Sequence, residues 1–376
     1  MKKIKLVTVL GTRPEIIRLS AIINKLDASE AFKHILVHTG QHYDYELSQV
    51  FFDEFNIRKP DYFLNASGDS PVAKVGNILI EIDKVLDQEK PDAFLVLGDT
   101  NSCLAAIAAK RKKIPIFHME AGNRCFDSRV PEETNRIIVD HLADINLPYT
   151  DISRANLIRE GFSSDRIIKT GSPLLEVIQS NMDAIENSNI LEKLNLKKKQ
   201  YYLVSTHREE NVDTDNFIKL ISAFNDIAEE KQLTIIFSAH PRTKRRLVEE
   251  KITLHPLINI IKPLGFIDFV NLQINAKAVL SDSGTISEEA SILKLKALNL
   301  REAHERLEAY EEGAVMMVGV NPDRIKQGLK ILENQPADFI KLHHDYDVQN
   351  VSDKVLRIII GYIDYVNRVI WQKKDN

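Results

Sequence analysis

The chain has 376 residues, which predicts two or three domains, and its 44% hydrophobic and 28% charged residues are typical of a globular protein. A net charge of −4 excludes the global basic field of proteins that bind nucleic acid or anionic membranes, so a bound anion would need a local cationic cluster. Two cysteines in a chain of this length suit a reducing compartment better than a disulfide scaffold, and the charges near the N-terminus do not fit a signal peptide. No apolar run approaches the ~18–20 residues of a membrane span. Together these observations predict a cytoplasmic protein.

Short apolar, β-branched runs alternate with helical periods along the chain. A first series of strands is predicted at residues 4–10, 34–38, 93–98, 114–119, 145–149 and 166–171, and a second at 201–207, 233–240, 257–263, 278–284, 296–302 and 314–320. The runs are continuously apolar, which indicates parallel sheets covered by helices on both faces. We therefore predict an α/β fold of two doubly wound domains.

The charged segment 187–200 separates the two series and is interpreted as a helix plus a connection. We predict an N-terminal domain over residues 1–172 and a C-terminal domain over 173–352. A helix at about 353–372 has apolar residues at helical spacing. We expect it to pack back on the first domain, although a cap on the second domain fits the periodicity equally well.

Nearly every predicted strand ends in reactive side chains. The first series ends in GTRPE, TGQH, GDTNS and HMEAGNR, and the second in THREEN, AHPR, SDSGTISEE and REAHER. In doubly wound sheets, ligands bind outside the carboxyl ends of the strands. Eight such ends, shared by two domains, predict a cleft between the domains that receives residues from both sheets.

Residues 12–15, TRPE, predict a capping box in which Thr12 is the N-cap and Glu15 reaches back to it. Pro14 suits the first helical turn because no N–H donor is needed there. Arg13 would then lie at a helix N-terminus, which already carries partial positive charge. We interpret Arg13 as a fixed guanidinium for a phosphate or a substrate oxygen, with a simple pair to a neighbouring carboxylate as the alternative.

The segment LSDSGTISEEAS is the best predicted anion site. A strand leads through Ser283, Gly284 and Thr285 into a helix, whose first N–H groups would approach a diphosphate. Glu288 is the expected capping partner of Thr285. Either Glu288 or Glu289 could accept hydrogen bonds from ribose hydroxyls. The alternative is an ordinary capped helix without a ligand. The G-x-G and P-loop patterns are missing from the sequence, so nicotinamide binding and P-loop chemistry are not expected.

Four acidic residues follow strands of the first domain: Asp99, Glu120, Glu132 and Glu133. Carboxylates that lie close together push their pKa values apart, which allows one acid and one base at the same pH. Glu132 and Glu133 also suit a helix start after Pro131. That alternative explains Asp99 and Glu120 poorly, so these two predict acid–base chemistry more strongly.

His207 ends a predicted strand of the second domain, where it could donate to a phosphate or transfer a proton. His38 and His42 are four residues apart, but a strand end and a glycine interrupt any helix, so no metal site is predicted there. His343 and His344 are expected at the surface.

In this order, the motifs GTRPE, TGQH, GDTNS, HMEAGNR, PEETNR, THREEN, DSGTISEE and HER resemble those of the non-hydrolysing UDP-N-acetylglucosamine 2-epimerase family, over almost the whole length. The resemblance implies two Rossmann-like domains of glycosyltransferase-B type with the active site between them, a homodimer and no cofactor. The segments EAGNRCFDSRVPEETNR and LNLREAHER resemble a subgroup that converts UDP-2-acetamido-2,6-dideoxy-L-talose to UDP-N-acetyl-L-fucosamine, for capsules and O-antigens. The implied chemistry is elimination of UDP across C1–C2 and re-addition with inversion at C2.

The resemblance also implies roles for particular residues. The implied catalytic residues are Asp99, Glu120, Glu132 and His207, and the implied substrate or UDP contacts are Arg13, His42, Arg136, Arg208, Phe266, Ser283, Gly284, Thr285, Glu289 and Arg306. Lys296 and Leu307 stand where the family usually has proline, which leaves the position of Arg306 open. The family's GQHR continues here as GQHYDY, which leaves an allosteric second substrate site open.

Three alternatives to this substrate and activity remain. The chain could be a UDP-N-acetylglucosamine 2-epimerase that yields UDP-N-acetylmannosamine, or a retaining glycosyltransferase of the same fold. A non-catalytic UDP-sugar sensor is disfavoured, because a sensor gains nothing from carboxylates held close together. In each case the expected partner is a UDP-sugar, with no nucleic acid, membrane or metal.

Overall fold

The structure, a computed structural model, describes residues 2–40, 49–206, 211, 214–239, 241–302, 306–336 and 338–373. The chain divides into two compact units. Met1–Ser180 and Val348–Asn376 form the first unit, and Asn181–Asp347 forms the second. Within the described residues, no helix combines the length and the apolar character needed to cross a membrane.

The first unit is built on a parallel sheet whose described strands lie in the order β3-β2-β1-β4-β5-β6. These strands are β1 (Ile4–Leu10), β2 (Phe32–His38), β3 (Tyr62–Phe63), β4 (Ala93–Leu97), β5 (Ile116–Met119) and β6 (Ile145–Leu147). Val7 of β1 pairs with Ile35 on one side and Phe94 on the other. The strand order reverses between β1 and β4, which is the switch point where ligands bind in such sheets.

The second unit repeats this winding. Its described strands lie in the order β12-β11-β10-β7-β8-β9. They are β7 (Tyr201–Thr206), β8 (Thr234–Ala239), β9 (Ile258–Ile261), β10 (Ala278–Ser281), β11 (Ala297–Asn299) and β12 (Met316–Met317). Leu203 of β7 pairs with Val279 of β10 and Ile236 of β8. The switch point of this sheet therefore lies between β7 and β10.

Helices follow most strands in both units. In the first unit they are Arg13–Ala28, Gln49–Glu54, Pro71–Glu89, Ala106–Arg111, Pro131–Leu142, Asp151–Arg159, Leu174–Ser180 and Val351–Val369, with 3-10 turns at Asn101–Ala105 and Ser164–Arg166. In the second unit they are Met182–Glu186, Ile190–Lys193, Asn216–Lys231, Pro241–Glu249, Phe266–Asn275, Ile286–Leu293, Glu308–Glu311 and Pro322–Asn334.

The predicted α/β fold with two doubly wound parallel sheets is confirmed. The predicted strand at 166–171 is wrong: only Ile167 forms an isolated bridge, with Asn146. The N–H groups of Ile168 and Thr170 donate to the carbonyls of Asn146 in β6 and of Pro148 just after it, but this pairing on one edge is too short to make a strand. The sequence did not predict β3, because a two-residue edge strand gives no periodic pattern.

The C-terminal helix Val351–Val369 belongs to the first unit. The Ser352 N–H donates to Glu176 Oε2 at 2.9 Å, and Lys354 Nζ donates to the Thr170 carbonyl at 3.1 Å. Lys25, in the helix that follows β1, pairs with Asp353 at 2.7 Å. The helix thus lies beside the helix that begins at Arg13.

Candidate active site

The loops after β1, β2 and β4 converge at the switch point of the first unit. Gly11 packs so closely there that a Cβ would overlap the hydroxyls of Thr39 and Ser102. Those two hydroxyls are 3.0 Å apart. The loop that carries Arg13 and the loop that carries Asp99 are therefore neighbours.

Thr12 is the N-cap of the helix that begins at Arg13, as predicted, and its N–H donates to Glu15 Oε2 at 2.7 Å. Pro14 occupies the first turn. The half-buried Arg13 is the first residue of the helix. The start of the helix that carries the Arg13 guanidinium is thus fixed by the Thr12–Glu15 cap and by Pro14.

The carboxyl of Glu15 is buried, with 1% of the residue exposed. Burial raises the pKa of Glu15 from 4.5 to about 7, against the opposing effect of the hydrogen bonds from Thr12, Thr100 and Gly11. A carboxyl in such surroundings changes its charge near neutral pH. The sequence identified Glu15 only as a capping residue, because its contact with Thr100 is between distant parts of the chain.

Replacing Glu15 by glutamine is expected to change how stability depends on pH. Between pH 4.5 and about pH 7, the folded state holds a proton on Glu15 that the unfolded state has lost. The free energy of unfolding therefore falls as the pH rises through this range, by roughly 3 kcal/mol for a shift of this size. Urea unfolding of Glu15→Gln over the same range should lack this part of the slope. A slope equal to that of the wild type would contradict the assignment.

Asp99 is held by Arg136, which lies in the helix Pro131–Leu142. Arg136 Nε donates to Asp99 Oδ2 at 2.8 Å, and Nη2 lies 2.7 Å from the same oxygen. Arg136 is 3% exposed and also pairs with Glu133 at 2.6 Å. The structure thus places the guanidinium of Arg136 against two carboxylates, where it orients Asp99.

Glu133 shapes the loop that follows β5. Its carboxylate accepts the N–H groups of Cys125 and Phe126, each at 3.1 Å. Burial acts to raise the pKa of Glu133, but these donors and Arg136 outweigh it and hold the pKa below its ordinary value. Phe126 is left 74% exposed with a left-handed backbone, φ 55°, which a large side chain rarely adopts. Sequence reasoning had placed Glu133 in the group of four acidic residues, with a helix start as the alternative, and had not predicted its bonds to this loop.

Glu120 follows β5 directly and is buried, with 8% exposed. Its φ of 64° is again left-handed, a strained conformation for a residue with a side chain. Arg18 Nε lies 3.9 Å from Glu120 Oε2, and Arg18 Nη1 donates to Ser172 Oγ at 3.3 Å. Arg18 is a buried cationic neighbour of Glu120 that the sequence analysis missed, although it lies one turn after Glu15 in the same helix.

A buried network lies beneath Asp99 and Glu120. His118 Nε2 is 2.8 Å from the carbonyl of Gly98, and His118 Nδ1 is 2.9 Å from Asp140 Oδ1. Asp140 Oδ2 accepts the Gly122 N–H at 3.1 Å and lies 2.8 Å from Arg124 Nη2. Gly98 precedes Asp99 and Gly122 follows Glu120 closely, so one network holds both loops.

Glu132 lies in the first turn of the helix that begins at Pro131 and is half-buried. The helix start that Pro131 predicted is confirmed. The structure therefore brings Asp99 and Glu120 to adjacent strand ends and puts Glu132 on the helix that carries Arg136. His42, His207 and Arg208 lie outside the described residues.

In the second unit, the loop after β10 joins five predicted binding residues. Ser283 Oγ lies 2.9 Å from Thr285 Oγ1, and Thr285 Oγ1 donates to Glu289 Oε1 at 2.7 Å. Arg306 Nη1 donates to the Gly284 carbonyl at 2.7 Å. The cluster places hydroxyls, a guanidinium and a carboxylate beside one helix N-terminus, which suits a phosphorylated ligand.

Two details of this loop differ from the sequence-based expectation. Glu289, rather than Glu288, meets Thr285, because Glu288 is fully buried and lies 3.8 Å from Arg306 Nε. The N–H groups of Ser283 and Thr285 donate to the hydroxyls of Ser281 and Ser283. An anion at this loop would therefore meet hydroxyl groups as well as backbone donors.

Phe266 begins the helix Phe266–Asn275 and is 7% exposed. Gln273 of the same helix donates to Glu289 Oε2 at 2.6 Å. Both oxygens of Glu289 thus have partners, and the carboxylate is fixed in orientation. Phe266 lies at the opposite end of this helix from Gln273.

One cluster among the described residues has donor atoms close enough for a metal ion: His343, His344 and Asp345 lie within 4.8 Å of one another. His343 is 5% exposed, so its predicted surface position is wrong. Its ring packs against Tyr346, and Nδ1 accepts the Asp345 N–H at 3.2 Å. That bond removes one of the ring's two possible metal-binding atoms.

A family model described as UDP-N-acetylglucosamine 2-epimerase matches residues 24–360. A structure of UDP-N-acetylglucosamine 2-epimerase from Rickettsia bellii is 48% identical, with a TM-score of 0.90, over 99% of this chain and 100% of that one. The Methanocaldococcus jannaschii UDP-GlcNAc 2-epimerase in complex with UDP-GlcNAc and UDP is 37% identical, with a TM-score of 0.89, over 95% and 100%. A UDP-2,3-diacetamido-2,3-dideoxy-D-glucuronate 2-epimerase of Pseudomonas aeruginosa is 34% identical over 87% of this chain and 91% of its own.

Proposed function

The chain belongs to the UDP-N-acetylglucosamine 2-epimerase family and is an epimerase, and from this premise we propose that it inverts C2 of a UDP-linked 2-acetamido sugar. The observation that carries the proposal is the pair of carboxylates at adjacent strand ends. Asp99 is held by Arg136 and Glu120 by Arg18, each a buried arginine. Inversion at one carbon needs proton handling on both of its faces, and two separately oriented carboxylates meet that need.

The proposed reaction has two balanced steps. A carboxylate removes the C2 proton while the C1–O bond to UDP breaks, which leaves a C1=C2 double bond and free UDP. The UDP oxygen then re-forms its bond to C1 while a proton is delivered to the opposite face of C2. No electron acceptor is consumed. Because a C2 proton without an adjacent carbonyl is weakly acidic, stabilisation of the leaving diphosphate must lower the barrier.

The described residues divide these tasks by unit. In the second unit, Arg306 and the hydroxyls of Ser283 and Thr285 would bind the diphosphate, and Glu289 the ribose. In the first unit, Arg13 would add a guanidinium, and Asp99, Glu120 and Glu132 would transfer protons. For His42, Phe266, Arg208 and His207, the roles implied by the family resemblance remain part of the proposal, with His207 stabilising the departing UDP or transferring a proton.

For the substrate, we propose UDP-2-acetamido-2,6-dideoxy-L-talose, which would yield UDP-N-acetyl-L-fucosamine for capsule or O-antigen synthesis. The support is the sequence of two loops, EAGNRCFDSRVPEETNR and LNLREAHER. In the first of them, the backbone N–H of Phe126 donates to Glu133 and the residue is 74% exposed. An apolar ring suits a 6-deoxy sugar, whose methyl group makes no hydrogen bond.

UDP-N-acetylglucosamine is the second candidate substrate. It is favoured by the names of the relatives from Rickettsia bellii and Methanocaldococcus jannaschii. The two nucleotides differ at the 6-position, where a hydroxyl replaces a methyl hydrogen, and in the configuration of the ring. The same fold occurs in glycosyltransferases, which would transfer the sugar to an acceptor instead. A homodimer in the cytoplasm also remains part of the proposal.

One experiment tests both the activity and the substrate. The purified protein is incubated in D2O with each UDP-sugar alone, and proton NMR follows the C2 hydrogen. We expect deuterium at C2 and a second epimer from the 6-deoxy-L-talose nucleotide, with slower exchange in UDP-N-acetylglucosamine. Faster exchange in UDP-N-acetylglucosamine would reverse the substrate assignment. If neither nucleotide exchanges its C2 hydrogen, the proposed activity is wrong.

A further inference from the structure

The carboxyl of Glu15 joins two loops of the first unit. Its Oε2 accepts the N–H groups of Gly11 and Thr12, at 2.9 and 2.7 Å, and the Thr12 hydroxyl at 2.8 Å. Its Oε1 accepts the hydroxyl of Thr100 at 2.9 Å, a residue 85 positions further along the chain. One buried group thus links the loop before Arg13 with the loop that contains Asp99.

Helix capping alone does not explain an acid at this position. A capping box needs one oxygen directed at the N-cap N–H, and glutamine supplies it as well as glutamate. Burying a carboxyl costs free energy unless hydrogen bonds compensate, whereas a neutral amide is cheaper to bury. Glu15 is 1% exposed and directs its second oxygen away from its own helix, to Thr100. This second contact is the part of the arrangement that capping leaves unexplained.

The loop after β4 that contains Asp99, called the Asp99 loop, is also held by β5 and by the helix that begins at Pro131. His118 reaches the Gly98 carbonyl at 2.8 Å, and Asn135 Nδ2 donates to the Asp99 carbonyl at 2.9 Å. Arg136 holds the Asp99 carboxylate at 2.8 Å. These three residues lie on β5 and on the helix that begins at Pro131. The bond from Thr100 to Glu15 holds the loop from the side of β1.

We propose that Glu15 is a positioning residue that fixes the Asp99 loop relative to the start of the Arg13 helix through its bond with Thr100. The proposal rests on the proposed function, in which Asp99 transfers a proton at C2 and Arg13 binds the substrate. A displacement of about 1 Å in such a pair costs on the order of 10²-fold in rate. Glu15 itself touches no reacting atom in this assignment.

The matched variants are Thr100→Val and Thr100→Ser, because valine removes the hydroxyl at nearly constant size and serine retains it. Each is assayed with the nucleotide that exchanges fastest with the wild type. We expect kcat of Thr100→Val to fall about 10–100-fold while KM stays within about twofold, and Thr100→Ser to stay near the wild type. Thermal unfolding midpoints are recorded for both variants.

The Thr100 hydroxyl also accepts the Ser102 N–H at 3.3 Å, so a second variant separates the two bonds. Glu15→Ala removes the acceptor of the Thr100 hydroxyl, leaves the Thr100–Ser102 bond in place and should show the same loss of kcat, whereas Glu15→Gln should keep most of it because its amide nitrogen can donate to the Thr100 hydroxyl. Wild-type kcat in either Thr100→Val or Glu15→Ala would overturn the proposal. A loss that is equal in Thr100→Val and Thr100→Ser would overturn it too. An inactive wild type would instead refute the proposed function, so the two failures are distinguishable.

Discussion

Asp99→Asn is expected to lower turnover by roughly 10²–10⁴-fold, the range that acid–base catalysis typically contributes. The amide keeps the size of the side chain but cannot accept or return a proton. The neutral amide also loses the charge that pairs with Arg136 at 2.7 Å. The affinity for UDP should stay near that of the wild type, because the proposed diphosphate contacts of the second unit, Ser283, Thr285 and Arg306, do not include Asp99.

The measurement combines steady-state kinetics with titration of UDP by calorimetry. Glu120→Gln and Glu132→Gln are expected to behave in the same way, since each carboxylate is proposed to transfer protons. A matched control is Asp83→Ala on the helix Pro71–Glu89, where the side chain is 51% exposed. Wild-type turnover in any of the three variants would remove that residue from the proposed mechanism.

Asp140→Ala is expected to destabilise the first unit by about 3–5 kcal/mol, the usual cost of removing one partner of a buried ion pair. Asp140 is fully buried and receives His118 at 2.9 Å and Arg124 at 2.8 Å. Without the Asp140 carboxylate, the Gly122 N–H and His118 Nδ1 lose this partner at a buried position.

Urea unfolding monitored by circular dichroism checks this expectation. The surface variant Asp83→Ala again serves as the control, because its pair with Lys112 at 3.0 Å is exposed and should contribute less than about 1 kcal/mol. A loss for Asp140→Ala no larger than that of Asp83→Ala would show that the network beneath Asp99 and Glu120 contributes little to stability.

The sequence by itself determined the two parallel sheets and the placement of the candidate site residues at the ends of strands. Continuous apolar runs predicted buried parallel strands, and the polar residues after them, such as Asp99, Glu120 and Ser283, were correctly expected at strand ends. These features are readable because strand burial and helix capping depend on neighbouring residues. Thr12, Pro14 and Glu15 predicted a helix start for this reason, and the helix begins at Arg13.

Only the tertiary structure decided which polar and charged side chains meet. Arg136 pairs with Asp99 across 37 residues, Glu15 meets Thr100 across 85, and Glu289 rather than Glu288 meets Thr285. Such contacts depend on the order of the strands and on the rotation of each helix, which local spacing does not encode. Burial then sets the consequence: the same glutamate that caps a helix has a pKa of about 7 because the fold removes it from water.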